Sequence, residues 1–415
     1  MKLVKMSLLA ATLIASSAFA IDNIKLSGDA KLFYATMDAL DSGYNIDPDG
    51  AFFRQENSAG QAALGLGLTA DLTEGVSTGV HLTALSSLGL ANNLVSNVWE
   101  GTPEDEFWFD EVWIAGTVGK TTGKIGRMTL DTPLVFSEMW SIAYNTFEAG
   151  IVINEDIPDT TLVAAYVGQS NGGGTKSGFA GIVNDFTAGS ANTNFESFHQ
   201  GAYAFGAVNN SWAPLTAQGW YYILPSAATA YWLQADFTSD MGLSLGGQFT
   251  GLEDKSVAGG DKSNAAFAVK AGYEMKETFA VSAAYSQTGD TATALNVGAN
   301  LDGYGQSKLY TEAWWNYGYI TRSDTSAYNV TVSLPEELTW VALDFFYTQS
   351  TTTNGFEAVS GSGNFTDLVM KEATLDVTKS FGPLDSSLAY TYTDADDQNN
   401  GDGYGNIQVY LTYNF

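Results

Sequence analysis

The last eleven residues of the chain, Gly405 to Phe415, alternate between apolar and polar positions. The apolar positions are Ile407, Val409, Leu411, Tyr413 and Phe415. The positions between them are Asn406, Gln408, Tyr410, Thr412 and Asn414. A period of two over about ten residues is typical of a strand with different solvents on its two faces. An aromatic residue at the carboxyl end is typical of strands that end at a membrane interface. The segment therefore predicts the closing strand of a transmembrane antiparallel β-barrel.

A closing strand requires a first strand as its partner, because hydrocarbon cannot satisfy the free edge of a sheet. The stretch from Ile24 to Tyr34 shows the same alternation, with Lys25, Asp29 and Lys31 on the polar face. We expect this strand to be the neighbour of the last one. The three charged residues should then line the lumen. Asp236 and Lys270, at alternate positions of later apolar strands, are predicted to do the same, since such charges require a wet interior.

The amino terminus has the pattern of a secretory leader: two lysines, a short apolar run and Ala18-Phe19-Ala20. We predict a signal peptide over residues 1–20, cleaved after Ala20, followed by one barrel domain over residues 21–415. No later segment has 18 uninterrupted apolar residues, which argues against a helical membrane protein. The absence of cysteine excludes disulfides, a lipid-anchored amino terminus and thiolate metal sites.

Acidic residues outnumber basic ones strongly, giving a formal net charge of -29. Nucleic acid is therefore not expected as a partner, because phosphate backbones are bound by basic surfaces. Only three arginines are present, Arg54, Arg127 and Arg322, so a dense arginine ladder cannot form. We expect a pore that repels anions and favours cations. The 13% aromatic content and 44 glycines suit alternating strands, tight turns and aromatic girdles better than an acidic disordered chain.

Short and long connections alternate along the chain, as in outer-membrane barrels. The short ones are Gly119 to Gly123, Asn154 to Thr160, Asn209 to Leu215, Ser239 to Gly242 and Met275 to Thr278. The long ones are Ser86 to Glu106, Gln169 to Gln200, Gly251 to Asn264 and Thr288 to Gly305. The length predicts about 18 strands, although a literal count is odd. The ambiguity lies between Tyr285 and Leu338, where Tyr310 to Tyr319 and Tyr328 to Leu334 can be paired in more than one way. A soluble all-β fold is the structural alternative.

The stretch KIGRMTLDTPLVFSEMW leaves a strand and continues into a segment that is too apolar for an exposed loop. The residues that require burial are Leu134, Val135, Phe136, Met139, Trp140 and Ile142. We predict a loop that folds into the barrel and narrows it, with Asp131 and Glu138 at the constriction and Arg127 opposite or alongside. Arg127 could equally pair with Asp131 to hold the loop. Alternation of the preceding strand predicts that Glu111 faces the lumen and Asp110 lies at the headgroup rim.

Several segments of the sequence resemble a known family. GRMTLDTPL, NTFEAGIV, DTTLVAAYVG, KLYTEAWWNYGY and the ending NIQVYLTYNF resemble the major outer-membrane porins of Campylobacter and its relatives, a branch akin to the OprD-type porins. The resemblance implies an 18-stranded, trimeric, cation-preferring channel, in some members with a calcium ion held by pore carboxylates. The surface loops match no family pattern, so a substrate preference does not carry over, and the identity of any metal ligand is unknown.

These features predict a general diffusion porin of the bacterial outer membrane, through which ions and small hydrophilic solutes pass without a required cofactor. Outer-membrane lipid and lipopolysaccharide are the expected surroundings. An adhesin or structural envelope protein is the alternative, based on the Gly-, Ser- and Asn-rich loop from Gln169 to Gln200. An enzyme is not expected, because an outer-membrane lipase would need a Ser paired with a His at the lipid boundary, and the sequence identifies no such pair. His81 and His199 have no second His or Cys at ligand spacing.

Overall fold

A computed structural model describes residues 22–39, 50–90, 94–95, 106–139, 142–172, 194–225, 227–256, 262–302, 305–357 and 363–415. The predicted leader, Trp140 and most of the loop on which the adhesin alternative depends lie outside these residues. Within them, no helix is long and apolar enough to cross a membrane.

The described residues form eighteen strands in one antiparallel sheet. The strands are β1 (Asp22–Met37), β2 (Ser58–Thr73), β3 (Val76–Ser86), β4 (Glu106–Val118), β5 (Thr121–Met128), β6 (Phe147–Asn154), β7 (Thr160–Ser170), β8 (Glu196–Trp212), β9 (Leu215–Leu224), β10 (Ala228–Thr238), β11 (Leu243–Asp254), β12 (Lys262–Met275), β13 (Phe279–Thr288), β14 (Thr325–Leu334), β15 (Ala342–Glu357), β16 (Gly363–Phe381), β17 (Leu384–Ala395) and β18 (Tyr404–Asn414). The short helical segments are α1 (Glu336–Thr339) and 3₁₀ turns at Gln55–Asn57, Tyr319–Thr321 and Asn399–Gly401.

The sheet closes on itself through its first and last strands, as predicted. Leu32 lies opposite Leu411 in the register of β1 and β18. The backbone of Gly28 both donates to and accepts from Phe415, at 2.8 and 2.9 Å. The predicted faces are also confirmed, because Leu26 and Phe415 are exposed on the outside while Gln408 is fully buried on the inside. The barrel therefore has no free edge.

Connections at one end of the barrel are short and most at the other end are long. We call these two ends of the barrel the short-turn end and the long-loop end. The first residue of β1 and the last residue of β18 both lie at the short-turn end. The connection between β9 and β10 is an exception, because it spans only residues 225–227 although it belongs to the long-loop end. The odd strand count is corrected here: Tyr310 to Tyr319 is not a strand but part of the long connection between β13 and β14.

A β-bulge in β4 corrects the predicted orientation of Asp110. His81 pairs with Glu111 and Leu82 with Phe109, so Asp110 has no residue opposite it. A bulge inserts one residue into the alternation, so the neighbouring Asp110 and Glu111 both turn inward. Asp110 is 1% exposed and does not lie at a headgroup rim.

Candidate permeation site

Two loops fold into the barrel from its long-loop end. Loop A comprises residues 129–146, between β5 and β6, and loop B comprises residues 289–324, between β13 and β14. The predicted burial of loop A is confirmed for Leu134, Val135, Phe136 and Ile142, whereas Met139 is 58% exposed. Loop B was not predicted to fold inward, yet Val297, Leu301, Leu309 and Ile320 are buried.

The two loops are hydrogen-bonded to each other. The amide of Leu301 donates to the carbonyl of Leu134 at 2.8 Å. The side-chain amide of Asn300 donates to the Phe136 carbonyl and to the Glu138 carboxylate, both at 2.9 Å. Glu138 is 0% exposed, which corrects the prediction that it presents a charge to the pore. It joins the two loops instead.

A second junction between the loops is built around Asp302 of loop B. Its carboxylate accepts a hydrogen bond from the Asn145 side chain at 2.6 Å and another from the Ser170 hydroxyl on β7. Burial raises the pKa of Asp302 to about 6. The protonation of this carboxyl is therefore coupled to the packing of both loops.

Loop B is also anchored to the opposite wall by Glu372 of β16. This carboxylate accepts hydrogen bonds from the backbone amides of Trp314, Trp315 and Asn316, at 2.7, 3.1 and 2.7 Å. The side-chain amide of Asn316 adds a fourth at 2.6 Å. Glu372 is 2% exposed, so these donors replace the water that a buried carboxylate requires. Glu372 therefore fixes the position of loop B within the barrel.

Apolar packing of the loops fills one side of the lumen. Leu134, Val135, Leu301 and Leu309 form one cluster with inward side chains of the wall. The wall residues of this cluster include Phe147, Val167, Phe198, Trp220, Tyr222, Trp232, Leu252 and Ala266. They belong to β6 to β12, so this side of the barrel is closed and any path through it lies against the other side.

Open space remains against β15, β17 and β18. A cavity of about 660 Å³ lies there, between the two loops and the wall. A smaller cavity of about 280 Å³ lies nearer the short-turn end. Ser387 of β17 and Tyr410 of β18 line both cavities. The shared residues show that the two spaces adjoin, which gives an off-centre route toward the short-turn end.

The predicted constriction charges are paired differently from either alternative considered. Arg127 donates to Glu148 of β6 at 2.7 Å and to the carbonyl of Phe109 at 2.6 Å, and it does not hold loop A through Asp131. Asp131 forms an ion pair with Lys308 of loop B, and its side chain is 90% exposed. Asp131 lines the larger cavity, whereas Arg127, on β5, does not.

The other predicted lumen residues lie away from this cavity. Lys31 pairs with Asp29 at 3.3 Å. Asp236 accepts a hydrogen bond from the Tyr310 hydroxyl at 2.6 Å, and the ammonium of Lys270 lies 4.4 Å from the centre of the same ring. Lys25 is exposed near the short-turn end. The basic residues Lys31, Lys270 and Arg127 thus each lie near an acidic one.

The bulge brings Asp110 and Glu111 into separate polar contacts. Asp110 contacts the Nδ1 of His81 at 2.7 Å and accepts from the hydroxyl of Thr83 at 2.9 Å. Glu111 accepts a hydrogen bond from the indole of Trp113 at 3.1 Å. Both carboxylates are therefore used within the wall of β3 and β4, and Glu111 does not line the larger cavity.

The resemblance implies a calcium ion in the pore, which requires six to eight oxygen ligands. In the described parts of the chain, no three His, Cys, Asp or Glu side chains converge on one point.

Lys308 and Glu372 were missed by the sequence analysis. The sequence pattern could have identified Glu372, because it is an acid on the inward face of a strand whose outward face is apolar. Lys308 has none, since its role depends on where loop B folds.

No protein-family model matches the chain, and no curated protein matches it. Solved structures do match the chain. OccAB2 of Acinetobacter baumannii superposes with a TM-score of 0.70 and 16% identity, over 96% of this chain and 99% of that one. A BenF-like porin from Pseudomonas fluorescens Pf-5 gives 0.70 and 12%, over 95% and 99%. This chain has the porin fold. OpdK of Pseudomonas aeruginosa, solved with vanillate, gives 0.66 and 14%, over 96% and 100%. At these identities the likeness establishes the shared porin architecture.

Proposed function

We propose that this porin-fold chain is a passive channel of the bacterial outer membrane that selects among small hydrophilic solutes and favours cations. The observation that carries the proposal is the pair of adjoining cavities beside two inward loops. A space of about 660 Å³ is in the range of pockets that hold a small organic molecule. A space of this size beside two inward loops favours selection among solutes over the general diffusion that was first expected.

The proposed cation preference rests on the charges beside the route. Among the described residues, Lys308 is the one basic residue that lines the larger cavity, and it is paired with Asp131. Lys379, which lines the smaller cavity, is likewise paired with an acid, Glu336. Two further acids, Asp344 of β15 and Asp376 of β16, lie directly opposite each other on the same wall. An anion would therefore meet uncompensated negative charge, whereas a cation would be attracted.

Several further properties remain proposals. The relationship to the major porins of Campylobacter rests on the sequence segments given above. A trimeric assembly rests on that resemblance as well. Contact with lipopolysaccharide rests on the proposed place in the outer membrane. Cleavage of a leader after Ala20 rests on the amino-terminal pattern.

The proposal is tested with purified protein in planar bilayers under a KCl gradient. We expect discrete conductance steps and a reversal potential of the sign given by K⁺ permeation. Asp131→Asn should reduce that potential, because it removes an exposed carboxylate at the cavity. Asp240→Asn, in the turn between β10 and β11, is the matched control and should change it little. Absence of conductance steps would refute the channel, and an anion-selective potential would refute the preference.

A further inference from the structure

The larger cavity has unusually aromatic walls for a water-filled route. Its lining includes Phe136 of loop A, Trp314, Trp315 and Tyr317 of loop B, and Phe346 and Tyr410 of the barrel. Phe346 faces inward, while the preceding Phe345 is 42% exposed on the outer face. The aromatic groups thus come from three separate parts of the chain, and together they surround one space.

Charge in this cavity is arranged to receive a cation. The ammonium of Lys308 is paired with Asp131 and lies 4.8 Å from the centre of the Phe136 ring. Its side chain is 32% exposed, against 90% for that of Asp131. The carboxylate is therefore the more accessible member of the pair. A solute entering the cavity meets aromatic rings and an open carboxylate before it meets the ammonium.

The exit toward the short-turn end continues this pattern. Ser387, which lines both cavities, donates a hydrogen bond to Asp376 at 2.7 Å. Asp344 lies opposite Asp376 in the strand register. Negative charge therefore follows directly after the aromatic cavity. An ammonium group leaving Asp131 would find a second acidic position along the same wall.

We propose that the cavity is a binding subsite for an organic cation, an ammonium group attached to a flat apolar body. The inference rests on the proposed channel function and specifies its solute. Ring faces attract cations by about 0.5–2 kcal/mol each, depending on exposure, and they also stack on a flat apolar group. A flat carboxylate of the same size would gain the stacking but meet repulsion from Asp131 and the two wall acids. An uncharged analogue would gain the stacking alone.

The test measures block of the K⁺ current by benzylammonium, benzoate and benzyl alcohol, each at equal concentration on one side of a planar bilayer. We expect benzylammonium to bind most tightly. Phe346→Leu should weaken its block about threefold to tenfold, as expected for loss of one cation–π contact. Asp131→Asn should weaken it as well. Phe345→Leu, a change of the same size on the outer face, is the matched control and should leave the block unchanged.

The outcomes separate this inference from the channel function. A channel that conducts K⁺ but is blocked equally well or better by benzoate or benzyl alcohol would overturn the cation subsite. Equal effects of Phe346→Leu and Phe345→Leu would overturn it too, because the inward ring would then contribute nothing. Absence of conductance in the wild-type protein would refute the proposed function itself.

Discussion

Replacing Glu372 with glutamine should release loop B from the barrel wall without unfolding the barrel. The carboxylate accepts four hydrogen bonds from Trp314, Trp315 and Asn316. It lies on β16, which is paired along its length with β15 and β17. The substitution keeps the size of the side chain but replaces one acceptor oxygen with a donor. The change therefore acts on the loop and not on the strand ladder.

The magnitude follows from the number of donors affected. A hydrogen bond to a charged group contributes about 1.5–3 kcal/mol net. A glutamine carbonyl retains acceptor capacity for two donors, so two hydrogen bonds are lost, or about 3–6 kcal/mol. Each 1.4 kcal/mol is a tenfold change in an equilibrium constant. Opening of the segment around Trp314 should become more frequent by about 10² to 10⁴.

Hydrogen exchange of the amides at residues 314–316, followed by mass spectrometry in detergent, measures this opening. Protection in Glu372→Gln should fall there while that of the barrel strands is retained. Glu253→Gln is the matched control, because within the described part of the chain Glu253 accepts a single hydrogen bond, from Thr229 on the neighbouring strand. Unchanged protection in Glu372→Gln would refute the anchoring role. Loss of protection throughout the barrel would show that the residue supports the whole fold and not the loop.

Three further predictions concern other contacts. Lys308→Met should increase cation preference in reversal-potential measurements, because it leaves Asp131 without its partner; a decrease would contradict the pairing. Since burial raises the pKa of Asp302 from 3.8 to about 6, stability should fall as pH rises from about 4 to 6, by about 3 kcal/mol in total. Asp302→Asn should abolish that slope in thermal unfolding scans, and a retained slope would rule out this carboxyl as its source. Gly126→Ala should destabilise the barrel by several kcal/mol, of order 1–3 from backbone strain alone, because φ is +130° and the new Cβ would lie 2.2 Å from a carbonyl oxygen of β4. Gly123→Ala on the same strand meets nothing within 4 Å and should be tolerated in the same scans.

The strand pattern was predictable because the two faces of each strand meet different solvents. The alternation from Ile407 to Phe415 located β18, and that from Ile24 to Tyr34 located its partner β1. Inward folding of loop A was predictable for a related reason. Residues such as Leu134 and Phe136 are too apolar for an exposed loop and do not alternate.

The same signal is present in loop B. Trp314 and Trp315 lie in the stretch from Tyr310 to Tyr319, which was a candidate strand, and Leu309 and Ile320 flank it. They do not keep a period of two, since Trp314 and Trp315 are adjacent. A non-alternating apolar stretch between two alternating ones indicates burial inside the barrel, in this case against Glu372.

The orientation of Asp110 could not be obtained from strict alternation. A bulge shifts the pattern by one residue, and its position is set by the pairing with β3, where His81 and Leu82 follow each other without a gap. Strict alternation placed this acid outside the barrel. The apolar residues on either side, Phe109 and Val112, are both exposed on the outer face, and their odd separation is the mark that the bulge leaves in the sequence.

The position of the acids matters more for selectivity than the net charge of -29. Charges at the barrel mouths act through water and are screened beyond about 10 Å at 0.1 M salt and about 3 Å at 1 M. Asp131 is in direct contact with the larger cavity, and Asp376 is hydrogen-bonded to a residue that lines it. These two should retain most of their influence at high salt, because no electrolyte separates them from a passing ion. A cation preference that persists at 1 M would therefore originate from the wall of β15 to β18 and from loop A, whereas a preference confined to low salt would originate from the acidic rims.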